Sequence, residues 1–191
     1  MTDSDWRSRR WDATHQRIYR AAMALLQEHG FDRVNVGQIA AAAGVSVPTF
    51  YAHYASKEHI VLQLPTAEQM AGLLATQPIE LPLRDRLAGL APVWLALWGP
   101  EEREDILARW RIVATTPALR TRAAEFERTT AEMIAAALAA EAGAPPRQAD
   151  VTLVNAYMAA FTSAVLAWAD CNGERKLEEL TDEAFEALLG L

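Results

Sequence analysis

No stretch of this chain alternates apolar and polar residues over a strand's length, whereas apolar residues recur at spacings of three and four almost from end to end. That period belongs to helices with one buried face, so an all-α fold is expected. The 191 residues, 51% of them hydrophobic, suffice for one substantial core or two smaller ones, which sets aside fibrous and disordered classes. With Cys171 as its one cysteine, the chain can build neither an internal disulfide nor a zinc ribbon. The first 30 residues are polar and charged throughout, unlike a secretion signal, and the most apolar stretch, 156–169, falls short of the ~20 residues a bilayer crossing needs. A cytoplasmic protein with no membrane partner is expected.

The net charge of −7 is unevenly spread. Residues 1–60 carry seven basic side chains against six acidic, and residues 61–191 carry 11 against 19. All four histidines lie in the first part and four of the six tryptophans lie after residue 90. Two functionally different parts are therefore expected.

In the first part, Ile18, Ala22, Leu25 and Leu26 form one helical stripe ending at Gly30. Asn35 can cap a second, two-turn helix with Val36, Ile39, Ala40 and Ala43 inward, stopped by Gly44. Ser46 can cap a third, with Pro48 in its first turn and Phe50 and Tyr54 inward at i, i+4, and Ser56 can cap a fourth. Two short helices around a glycine turn, after a longer supporting helix, outline a helix-turn-helix, or an ordinary corner of a helical bundle.

The residue types decide between these. Gly30-Phe31-Asp32 to Asn35-Val36, Ile39-Ala40, Ala42-Ala43-Gly44-Val45-Ser46 and Pro48-Thr49-Phe50-Tyr51-Ala52-His53-Tyr54-Ala55-Ser56-Lys57-Glu58 resemble the DNA-binding domain of the TetR family of transcriptional regulators, over about residues 13–62. Pro48, where many members carry glycine, and Gly37 inside the second helix depart from the pattern. The resemblance implies a basic arm at 1–12, a three-helix helix-turn-helix domain at 13–60, and a ligand-sensing and dimerisation domain at 61–191, about nine helices in all. Its implied partners are double-stranded DNA bearing a palindromic operator, a second copy of the chain and a small-molecule effector, with no cofactor and no metal.

The residues expected at DNA are Asn35, Ser46, Val47, Pro48, Thr49, Tyr51, His53 and Lys57. Val47, Pro48 and Ala52 offer apolar surface that can meet a thymine methyl but cannot make bidentate bonds to purines, so base contact should be sparse. Tyr51 matches the family position whose hydroxyl bonds a phosphate, with a half-buried packing aromatic as the plainer alternative. Lys57 opposes the macrodipole of the helix it starts, a conflict that a bound phosphate would relieve, unless the ammonium is simply solvated. Arg7, Arg9, Arg10 and Arg17 form either a DNA-reaching arm or a charged leader, and Trp6 and Trp11 find no explanation there.

So few base contacts call for two copies on one duplex. Val151, Val154, Met158, Phe161, Val165 and Trp168 repeat at 3 and 4, a seam fit for another helix, and Leu180, Ala184 and Leu188 continue it on the last helix. The resemblance makes these two helices half of an intermolecular four-helix bundle, while an intramolecular core fits the spacing equally. Ala156, Ala159, Ala160, Ser163, Ala164 and Ala167 add a face of small residues. Helices are expected near 57–76, kinked at Pro65, and near 82–98, 101–114 and 118–142. Their Met70, Trp94, Trp98, Trp110, Phe126 and Met133, with Phe161, either line a pocket for a largely apolar ligand or are ordinary core.

The functional expectation is a homodimeric repressor released from its operator by that ligand, the helix from Lys57 acting as lever. Two other classes compete. A helical protein that keeps the helix-turn-helix only as a scaffold for partners would be indifferent to changes at Tyr51 and Lys57. An enzyme is disfavoured: beyond residue 60 there is no histidine, no HExxH and no glycine-rich phosphate loop.

Overall fold

The computed structural model describes residues 3–189, the side chains from residue 8 to 188. Ten α-helices and one short 3-10 turn, with no strand among the described residues, fall into two compact units, 1–63 and 64–191. The count is one more than the sequence suggests, because the helix expected over 57–76 is two.

The first unit holds α1 (Asp3–His29), the 3-10 turn Phe31–Arg33, α2 (Val36–Ala42), α3 (Val47–His53) and α4 (Glu58–Val61). Ile18, Ala22 and Leu26 of α1, Ile39 of α2, Phe50 of α3 and Ile60 of α4 are all at most 1% exposed and form its core. Helices of seven residues hold little stability of their own, and here their ends are fixed by side chains. Asn35 and Gln38 exchange bonds in a capping box at the start of α2, and Ser46 Oγ accepts from Thr49 N at the start of α3. Gly44, at φ +62°, makes the left-handed turn between them. Gly37 stands at the second position of α2, where a Cβ would lie 3.1 Å from the capping oxygen of Asn35, so the departure leaves room for the cap.

Two sequence expectations fail here for local reasons. Residues 3–12 are not a separate arm but the first turns of α1, and Arg7's side chain lies outside the described residues. Ser56 does not cap α4: its hydroxyl bonds His59 Nδ1 at 2.9 Å, and Lys57 takes the cap position without a side-chain bond.

The second unit contains α5 (Ala67–Ala75), α6 (Leu83–Ala96), α7 (Pro100–Thr115), α8 (Pro117–Ala142), α9 (Gln148–Asp170) and α10 (Leu177–Leu189). Pro65 has no N–H to continue a helix and biases Leu64 away from helical backbone, so α4 ends at Val61. Thr66 and Gln69 then start α5 with a second capping box. The continuous lever from Lys57 does not exist. α9 packs against α6, α7, α8 and α10, and two apolar clusters lie along it: one around Met70, Leu74, Leu87, Ile134, Val154 and Phe185, the other around Leu95, Ile106, Val165, Trp168 and Leu177. Arg86–Glu141 at 2.8 Å, Arg103–Glu178 at 2.6 Å and Arg120–Asp170 at 2.9 Å tie helices across the unit. α9 is long and apolar enough, at mean hydropathy 1.4, to cross a membrane by length and composition, a test that the core helix of a soluble protein also passes.

Candidate nucleic-acid interface

α3 is built to show one side. Phe50 and Tyr54 are buried at 0% and 6%, while Val47 and Tyr51 are 40% and 54% exposed and Pro48 and Ala52 are exposed with them. The exposed side is therefore apolar apart from the Tyr51 hydroxyl, and the Tyr51 ring keeps an edge-on contact with Phe50 at 5.5 Å. Asn35 and Ser46 have their side-chain oxygens engaged in the helix caps, and Thr49, half-buried, shares a 2.7 Å hydroxyl–hydroxyl bond with Ser46. These three residues hold the turn as well as lying on its surface.

His53 stands apart from the exposed row. Its ring lies 3.8 Å from that of Trp11, centroid to centroid, and 5.7 Å from His15, which in turn stacks on Tyr54 at 4.3 Å. An aromatic column thus fastens the first half of α1 to the reading helix, and it explains Trp11, which the sequence left unassigned. Nδ1 of His53 is buried with no hydrogen-bond partner among the described residues. Burial, and then the neighbouring His15, hold its imidazole below the usual histidine range. The signal was present as Trp11 and His15 at i, i+4, but only the fold shows what they face.

Lys57 is neither solvated nor free. Its Nζ donates to the carbonyls of Phe31 at 2.8 Å and Val34 at 2.9 Å and sits 4.0 Å over the Phe31 ring, closing the 3-10 turn onto the start of α4. One of its three N–H groups remains for an outside acceptor. Arg17 is exposed on α1.

This geometry coincides with a family assignment. Residues 18–64 match bacterial regulatory proteins of the tetR family and residues 93–190 match the MftR C-terminal domain, the latter more than half of the chain. The chain belongs to the TetR family of bacterial regulatory proteins.

Among relatives, it is 32% identical to MftR of Mycobacterium tuberculosis, a transcriptional regulator named for mycofactocin biosynthesis, over 71% of this chain and 69% of that one. It is also 32% identical to the transcriptional regulator TcmR of Streptomyces glaucescens, over 66% of this chain but 58% of TcmR's length. Its fold resembles NalD of Pseudomonas aeruginosa, the secondary repressor of the MexAB-OprM multidrug efflux pump, at TM-score 0.55 and 22% identity over 92% of this chain and 96% of NalD. The fatty acid degradation regulator FadR of Bacillus halodurans follows at TM-score 0.54 and 21% identity, over 93% and 95%. This TetR-family chain is thus a DNA-binding transcriptional regulator, not an enzyme.

The residues read for dimerisation divide. Val154, Val165, Trp168 and Leu180 are 1%, 1%, 6% and 8% exposed within a single chain, so most of their surface is taken up by its own core. Val151, Met158, Phe161, Ala184 and Leu188 are half-buried, and Met158, Phe161, Ala184 and Leu188 pack on the same clusters. A 3 and 4 repeat records that a helix has a partner, and for the four buried residues the same chain supplies most of it. Ala159, Ser163 and Ala167 of the small-residue face are exposed instead, with Ala156 half-buried and Ala164 buried. The residues read for a ligand also divide: Met70, Trp94, Met133 and Phe161 belong to or pack on the first cluster, Trp98, Trp110 and again Phe161 on the second, and half-buried Phe126 belongs to neither.

Proposed function

We propose that this TetR-family regulator is a cytoplasmic homodimeric repressor that leaves a palindromic operator when a small, largely apolar ligand binds its C-terminal unit. The exposed side of α3 carries this reading. It pairs one hydroxyl, on Tyr51, with the apolar surfaces of Val47, Pro48 and Ala52, a face able to meet thymine methyls and one phosphate but too poor in donors for specificity from one copy. Two copies, with reading helices about one helical turn apart (~34 Å), make up the deficit. Tyr51 and the remaining N–H of Lys57 serve phosphates, and readout of DNA shape supplements base contact. The second copy meets the exposed small face of α9 through Ala159, Ser163 and Ala167. Ligand in the C-terminal unit favours dimers whose reading helices stand at the wrong separation, a population shift rather than a change of the DNA face.

Fluorescence anisotropy against DNA from upstream of the coding sequence, across a salt series and with unrelated DNA as control, tests this. Tight, palindrome-dependent binding that weakens steeply with salt is expected, with Tyr51→Phe weakening it in a folded protein. Equal affinity for unrelated DNA at every salt concentration, together with failure to select any site from genomic fragments, would reject it.

A further inference from the structure

The C-terminal unit buries a hydroxyl to which its fold offers no partner. Tyr157 of α9 is 4% exposed, and its Oη is closed off from solvent with no hydrogen-bond partner among the described residues. The buried hydroxyls of Thr130 and Thr181 in this unit are satisfied within their own helices, by Phe126 O and Leu177 O. A phenol reaches too far from its backbone for that. Tyr157 belongs to the apolar cluster of Met70, Leu74, Leu87, Ile134 and Phe185, with the Phe185 ring 4.9 Å away. Such surroundings leave a donor with its desolvation penalty uncompensated.

Two further observations give the missing partner a character. Burial, and then the charge of Asp85, push the phenol above its ordinary range, so it stays neutral and donates. Arg84 and Arg86 of α6 are paired with Asp85 at 3.3 Å and Glu141 at 2.8 Å, so an anionic head group would compete with carboxylates already in place, although Arg86 Nε itself is buried with no hydrogen-bond partner among the described residues. Met133 and Met158 pack on the cluster while only partly buried, and with Met70 they place three of the chain's five methionines there. Their unbranched thioethers repack easily around a guest.

We propose that this cluster is the effector's seat, Tyr157 Oη donating to a neutral oxygen acceptor, such as a ketone, ester or quinone, on an otherwise apolar molecule. This rests on the ligand-responsive function above and deepens it. The test titrates the full chain with a matched pair of probes, the ketone 2-acetylnaphthalene and the hydrocarbon 2-ethylnaphthalene, by calorimetry. The parent is expected to bind the ketone about tenfold more tightly. Tyr157→Phe is expected to bind both alike, at the parent's hydrocarbon affinity, and to melt no lower than the parent. Equal binding of both probes by the parent, binding of neither, or a preference surviving in Tyr157→Phe overturns the proposal. So does a lower melting temperature of Tyr157→Phe, which would mean that internal water holds the hydroxyl. Adding ketone to the DNA complex separates the two ideas: Tyr157-dependent binding that leaves the complex intact keeps the site and rejects release.

Discussion

The two units of this regulator are held together in different ways. Packed on the long α1, the N-terminal unit relies on helices of four to seven residues positioned by Asn35, Gln38, Ser46 and Lys57, around a small core centred on Phe50. The C-terminal unit relies on helices of up to 26 residues, apolar clusters along α9 and ion pairs between helices. Short helices need their ends secured, and end-securing residues are local in sequence. Long helices need faces, and a face does not say what covers it.

The sharpest way to break this contrast is to hollow each core separately. Phe50→Ala should cost about 3–5 kcal/mol and Leu74→Ala about 2–5 kcal/mol, each lowering the transition of its own unit in scanning calorimetry. If both lower one shared transition, the units are not independent. Next in size is Lys57→Met, expected to cost the N-terminal unit about 2 kcal/mol by removing the ammonium's bonds to the carbonyls of Phe31 and Val34. The same variant should lower the salt slope of DNA binding by about one if the remaining N–H meets a phosphate. An unchanged slope with lowered stability would make the lysine purely structural.

Ser46→Ala should cost about 1 kcal/mol in the N-terminal unit by chemical denaturation, whereas removal of an exposed serine such as Ser163 of α9 should be nearly silent in a dissociated chain. The smallest effect concerns pH. Because the folded chain depresses the His53 imidazole, the unfolded chain takes up a proton near pH 6.5 that the folded one refuses. Stability is therefore full above that value and declines as pH falls through it, and His53→Gln should flatten the decline in urea titrations across that range.

This difference between the units also explains what could be read from the sequence. Asn35, Gly44, Ser46 and Pro48 located α2 and α3 because each acts within four residues of where it stands. The break between α4 and α5 was equally local, in Pro65 and the Thr66/Gln69 capping box, and was missed by giving apolar periodicity precedence over a proline. The Trp11–His53 contact and the bonds from Lys57 to Phe31 and Val34 span 42, 26 and 23 positions of chain, beyond the reach of any local signal. In α9 the spacing of Val154, Val165 and Trp168 marks a buried face but not what covers it, because burial by one's own chain and by a copy leave the same imprint.

The close, tilted contact of Trp11 with His53 also gives the reading helix an optical reporter. A protonated imidazole quenches a neighbouring indole by accepting an electron from its excited state, so emission from Trp11 should dim when His53 takes up a proton. The negative potential of a bound duplex favours that uptake. Occupancy of the operator would then be visible as a pH-dependent loss of intrinsic fluorescence, abolished by Trp11→Phe, with no label attached to protein or DNA.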